Sequence, residues 1–213
     1  MQLRDRIRSE GGFTLVELLV AIVIIGIITI PLSGTVVSAL KNTTTTEERM
    51  DLSHDAQLSS SYFARDVAAV GIRDYDNVNG NSLPFKPSVQ LNAAYNQGGY
   101  TCGAVGTPTA AVRLLSDSWD PADSMTSPKT VVIAYYLKTV AGSIELHRLK
   151  CSGSDTPVDV PIAHNVKSGS VTVTCSSTCE SADVPNEITF RLMATKPSVG
   201  DYPITLNGQR RQS

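Results

Sequence analysis

Residues 13–40 read FTLVELLVAIVIIGIITIPLSGTVVSAL, a run in which Glu17 is the only charged side chain. About 20 apolar residues cross a bilayer as a helix, and Phe13 to Leu32 reaches that length. Before the run stands a polar leader, MQLRDRIRSEGG, whose Arg4, Arg6 and Arg8 are offset by Asp5 and Glu10. Arginines before the span and none just after it place the leader in the cytoplasm and everything beyond the span outside. The chain therefore reads as a single-span membrane protein with an exported body.

Glu17 needs a reason. A carboxylate in hydrocarbon costs roughly 2.5–3.5 kcal/mol on insertion scales, and by default marks a function with a partner to be named. The span holds no Lys, Arg or His, so the partner comes from elsewhere. A newly exposed α-amine would serve if the chain were cut just before the span. Gly11-Gly12 suits such a cut, because missing side chains let a protease approach the backbone.

The hexapeptide Gly12-Phe13-Thr14-Leu15-Val16-Glu17 resembles the class III signal of type IV pilins and type II secretion pseudopilins. The resemblance implies that a prepilin peptidase cuts between Gly12 and Phe13 and methylates the amine of Phe13. It also implies that Glu17 meets the Phe13 amine of a neighbouring subunit during filament assembly. The tracts Ile133-Ala134-Tyr135-Tyr136-Leu137, Leu146-His147-Arg148-Leu149 and Ala163-His164-Asn165-Val166 are similar to the minor-pilin branch that includes pseudopilin J. Two alternatives stand beside this reading. Val37-Ser38-Ala39 resembles a secretory signal peptidase site, and a cut after Ala39 would release a secreted binding domain. An uncut leader would leave a membrane-anchored, adhesin-like domain. Against the first, a secretory h-region is ~7–15 residues long and rarely carries an acid.

Further along, Pro31 and Gly34 predict a kink or a locally unwound stretch, since an interior proline removes one backbone hydrogen bond. Thr43 to Thr46 are weak helix formers, and Asn42-Thr43-Thr44 reads as a Thr-rich helix surface more readily than as a glycosylation sequon. The helical pattern resumes with Leu52, Ala56, Phe63, Val67 and Val70 on one stripe. Glu47, Glu48, Asp55, Arg65 and Asp66 fall largely off it, and Gly71 sits where a C-terminal cap belongs. A helix over residues 13–70 would be about 87 Å long.

Residues 71–128 are rich in Asn, Gly, Pro and Ser, with a short strand at Ala110 to Leu115. From Lys129 the pattern has period two. Val131, Ile133, Tyr135 and Leu137 share a face, Gly142 marks a turn, and Ile144 with Leu146 return. Val171 with Val173, Ile188-Phe190-Leu192, and Ile204 with Leu206 repeat it. Short connections imply antiparallel pairing. The fold class expected is α+β, a long N-terminal helix packed on an antiparallel sheet, which is the lollipop shape the pilin resemblance implies. The expected division is a leader at 1–12, a membrane or filament-core helix at 13–40, its amphipathic continuation at 41–71, and an exported β-rich domain at 72–213.

Composition narrows the function. Eighteen Lys+Arg against 20 Asp+Glu give a net charge of −2, which argues against direct nucleic-acid binding. Cys102, Cys151, Cys175 and Cys179 lie in the exported part, where an even count favours disulfides and four cysteines allow three connectivities. The preferred pairing is Cys102 with Cys151, a staple between the irregular region and the sheet, and Cys175 with Cys179, a loop clip. Zinc at Cys175 and Cys179 lacks a CxxC or HxxxH partner. Asp74, Asp76, Asn77 and Asn79 before Gly80 form either a plain turn or an oxygen-rich calcium loop, although Val78 and Phe85 break the EF-hand pattern. In Asp117-Ser118-Trp119-Asp120-Pro121, Trp119 is a contact point or an aromatic tucked on the sheet edge. His54, His147 and His164 read as surface or capping residues. HExxH, GxSxG and phosphate-loop patterns are absent from the sequence, so no catalysis, metal or cofactor is expected. Partners expected are other pilin subunits, the prepilin peptidase and the membrane.

Overall fold

The computed structural model describes residues 12–78, 80, 83–119 and 128–211. The chain divides into two compact units, Met1–Thr46 and Glu47–Ser213. Helix α1, Leu15–Ala68, contributes to both.

In the first unit every described residue from Gly12 to Thr44 is exposed on the chain, including Phe13, Leu15, Ile22, Ile27 and Ile30. The segment is long and apolar enough to cross a membrane. Residues around Pro31 and Gly34 remain helical, so the locally unwound stretch expected there is not present. Pro31 still has no N–H to offer the Ile27 carbonyl. Nearby hydroxyls fold back on the helix, Thr29 donating to the Ile25 carbonyl at 2.7 Å and Ser33 to that of Thr29 at 2.8 Å. Thr43, Thr44, Thr45 and Thr46 do the same to the carbonyls four residues before them. That back-bonding gives each hydroxyl an acceptor on its own helix, although it slightly weakens the helix and does not support it.

The second unit begins with the amphipathic end of α1. Leu52, Phe63, Val67 and Val70 are fully buried, as their spacing predicts, and Ala56 is half-buried. The helix ends at Ala68, with the amides of Ala69 and Val70 closing tighter bonds to the Asp66 and Val67 carbonyls. Gly71 is therefore not the helix cap. It joins the sheet instead, its amide donating to the Leu115 carbonyl at 2.9 Å.

The strands are β1 (Ile72–Arg73), β2 (Phe85–Lys86), β3 (Val89–Ala93), β4 (Ala110–Ser118), β5 (Lys129–Val140), β6 (Ser143–Ser152), β7 (Val158–Ala163), β8 (Thr172–Cys175), β9 (Glu187–Lys196) and β10 (Gly200–Gln209). Among the described residues they form not one sheet but three, ordered β1-β2, β10-β9-β8 and β3-β4-β5-β6-β7, with every pair antiparallel. The β5–β6 hairpin turns on Ala141 and Gly142, both with positive φ, as a two-residue hairpin loop requires.

The main core joins α1 to the inner faces of the two larger sheets. Phe63 packs edge-on to Tyr135 at 5.3 Å between ring centres, and Phe190 closes the trio at 5.9 Å from Phe63. Gly208 of β10 lies so close to the helix that a Cβ there would sit 2.4 Å from Val67. Period two captured only half of β5. Its other face, Val132, Ala134 and Tyr136, is buried too, in a second core with Leu115, Leu149 and Ile72. The irregular segment before β4 covers that face, and Cys102–Cys151 fixes it there, while Cys175 joins Cys179. Replacing Cys102 and Cys151 by Ser should cost on the order of 4 kcal/mol, against about 2 kcal/mol for the short loop of Cys175 and Cys179. Urea unfolding of the detergent-solubilised variants measures the ranking.

Candidate functional site

The N-terminal site starts at Gly12 and Phe13, which precede the helix. Phe13 is 81 % exposed. Leader residues 1–11 lie outside the described residues. Thr14 caps α1, its Oγ1 accepting the Glu17 amide at 3.3 Å and its carbonyl accepting the Leu18 amide at 3.1 Å. Glu17 thus occupies the third helical position behind a threonine cap, the Thr-x-x-Glu spacing of a capping box. A carboxylate there also complements the positive end of the helix dipole. Among the described residues Glu17 has no ion-pair partner, and the chain carries no cation from Gly12 to Leu40. Sequence reasoning quoted Thr14 without assigning it this capping role, although the spacing alone signals it.

The second unit fastens its helix by charge. Asp55 and Asp66, expected off the apolar stripe, are both buried on it, 7 % and 3 % exposed. Their positions continue the three- and four-residue steps of Leu52, Ser59, Phe63 and Val70, so the stripe has polar members that an apolar pattern search omits. Arg148 of β6 donates from Nε and Nη2 to the two carboxylate oxygens of Asp66, at 2.5 and 2.8 Å. Tyr135 adds its hydroxyl at 2.6 Å, and the Arg148 guanidinium covers the Tyr62 ring. Ser59 Oγ donates to the Ile162 carbonyl, and Asp55 accepts the His164 amide at 2.8 Å beside the His164 ring.

The remaining sequence candidates sort plainly. His147 is buried and not a surface residue, its ring nitrogens facing Asp159 at 2.9 Å and Glu145 at 3.0 Å. His54 is exposed on the helix, and His164 serves the Asp55 contact. In the Asp74 loop, the Asn77 side chain and Lys86 hold Asp74, and hydrogen bonding from Asn77 keeps its carboxyl below the ordinary range. Asn79 lies outside the described residues. Among those described, no three metal-binding side chains converge. Trp119 stays half exposed, edge-on to Tyr75 at 6.1 Å, while Asp120 and Pro121 lie outside the described residues.

Two predictions follow from the buried pair and its tyrosine. Asp66→Ala leaves Arg148 buried without a counter-charge and should destabilise the fold by about 3–5 kcal/mol, read from urea midpoints; Asp66→Leu with Arg148→Met should recover most of it. Burial, then the Asp66 charge, pushes the Tyr135 hydroxyl well above its ordinary range. Its folded-state proton is held more tightly than in the unfolded chain, so this contribution is intact below about pH 10 and is lost as pH rises further. Tyr135→Phe should flatten that alkaline decline in stability.

Comparison with known proteins gives one result. The family described as the prokaryotic N-terminal methylation motif matches residues 7–33. The match covers Gly12, Phe13, Glu17 and the apolar run as far as Ser33. No curated protein and no solved structure matches the chain. The motif supports a type IV pilin-like subunit, a class that is structural and not enzymatic, and with the apolar helix it fits a membrane-anchored single-pass protein.

Proposed function

We propose that the chain is a minor subunit of a type IV pilus or type II secretion filament, of the branch that includes pseudopilin J. The observation that carries the proposal is the methylation motif running into a helix whose apolar residues are exposed among the described residues. In this reading residues 1–12 are a leader that a prepilin peptidase removes between Gly12 and Phe13, and the new Phe13 amine is methylated. Residues 13–40 rest in the membrane and then enter a filament core, residues 41–71 continue the helix, and residues 72–213 face outward. Pro31 and Gly34 mark where the core helix can bend as subunits pack.

Glu17 sets the register. Thr14 caps the helix at the Glu17 amide, and the helix dipole favours a carboxylate at this first turn, next to where a neighbour's Phe13 amine arrives. Bringing the two together removes the cost of two isolated charges in a dry core, so assembly favours the paired state. The disulfide-tied domain then presents its loops to other subunits or cargo.

Intact mass and terminal sequencing of the protein from its own cells should show a start at Phe13 carrying one added methyl group. A start at Leu40 would instead identify a secreted binding domain, and an intact Met1 an unprocessed anchor. Glu17→Ala should be inserted and cut normally yet enter filaments about tenfold less efficiently or worse; normal incorporation would overturn the pairing role.

A further inference from the structure

We infer that the surface around the C-terminal end of α1 binds an acidic polypeptide segment of a partner protein. Two grooves meet there at Arg65. One, of about 450 Å³, runs between Arg65, Ala68, Arg210 and Arg211. The other, of about 620 Å³, passes Arg65, Arg148 and Lys150 over Val131 and Val158. Among the described residues they are lined by Arg65, Arg148, Lys150, Arg210 and Arg211 against Asp66 and Asp117; the Arg148–Asp66 pair cancels, leaving four cations against one carboxylate, on a chain whose net charge is −2. Asp66 is already committed to Arg148 and Tyr135.

A second, independent observation points to a missing acceptor. The Arg210 guanidinium stacks over Phe85 at 4.9 Å and donates Nη2 to Asn186 at 3.0 Å. Its Nε and Nη1 are shielded from solvent and have no hydrogen-bond partner among the described residues. Buried donors of a charged group are costly to leave unmade, and a carboxylate is the acceptor that guanidinium geometry suits best. Stabilising the helix terminus does not account for them. The Ala68 carbonyl is taken by the Arg211 amide, not by a guanidinium. Arg65 keeps 67 % of its side chain exposed, reaching Asp66 only at 3.9 Å.

The groove chemistry selects protein over nucleic acid. Ala64, Ala68, Val131 and Val158 give apolar footing between the cations, which suits a segment alternating acidic and aliphatic residues. Among the described residues neither groove is lined by an aromatic ring on which a base could stack, as single-stranded nucleic acid requires.

The test uses the full chain in detergent with two labelled probes at low salt, an eight-residue peptide of glutamates and leucines and a single-stranded oligothymidylate of equal charge. The peptide should bind more tightly than the oligothymidylate. Arg65→Glu with Arg211→Glu, both exposed, should weaken peptide binding at least tenfold with an unchanged unfolding midpoint. Lys138→Glu with Lys167→Glu, the same charge change on other faces, should leave binding intact. No peptide binding, tighter oligothymidylate binding, indifference to the arginine pair, or equal loss in the lysine pair would each overturn the proposal. None of these outcomes depends on where the N-terminus is cut, so the filament reading stands or falls separately.

Discussion

Apolar surface that a chain cannot cover by itself dictates what else must be present. From Leu15 to Leu40 the helix turns Leu, Ile and Val side chains outward on every side, and no stripe of that cylinder is polar enough to face water. At roughly 25 cal/mol per Å², leaving such a surface wet is untenable, so lipid or other apolar helices must surround it. The same requirement explains the economy of polar groups within it. Hydroxyls bond back to their own helix carbonyls, and the single carboxylate sits in the first turn, where the dipole supports it.

Beyond residue 46 the problem reverses. Here α1 has one apolar stripe and three buried polar residues, Asp55, Ser59 and Asp66, each matched by a partner on β6, on β7 or just after it. Apolar packing of Phe63, Tyr135 and Phe190 would tolerate some sliding of a helix over strands. A bidentate arginine–carboxylate contact does not, because its two hydrogen bonds fix both distance and rotation. The buried charges thus select one seating of helix on sheet, whereas the aromatic trio and the apolar residues around it supply the adhesion.

Legibility followed physical periodicity. The membrane run and the helix stripe were visible because each repeats one simple rule over many residues, and β5, β6, β8, β9 and β10 were visible for the same reason, whereas β7, with Pro161 inside it, was not read. Asp55 and Asp66 were misplaced because burial of a charge depends on a partner more than 80 residues away, which no local pattern records. The second face of β5 was missed because its cover is the irregular segment around Cys102, whose position is set by Cys151 and not by its own sequence. At the N-terminal site Phe13 and Glu17 were legible as a motif. The capping part played by Thr14 went unread, since it is a local hydrogen bond concealed inside an apolar run.

Gly208 ties folding to the order of synthesis. Val67 and Ala68 are made early, yet the strand that closes on them, and the Arg211 amide that meets the Ala68 carbonyl, are nearly the last parts of the chain to appear. Until then the apolar stripe of α1 lacks the β10 wall that closes on Val67. A nascent chain therefore spends most of its elongation with an adhesive helix face showing, and completion of β10 acts as the latch. Such long-range closure is slow in comparison with local hairpins, which makes protection of that face during synthesis a demand that the topology itself imposes.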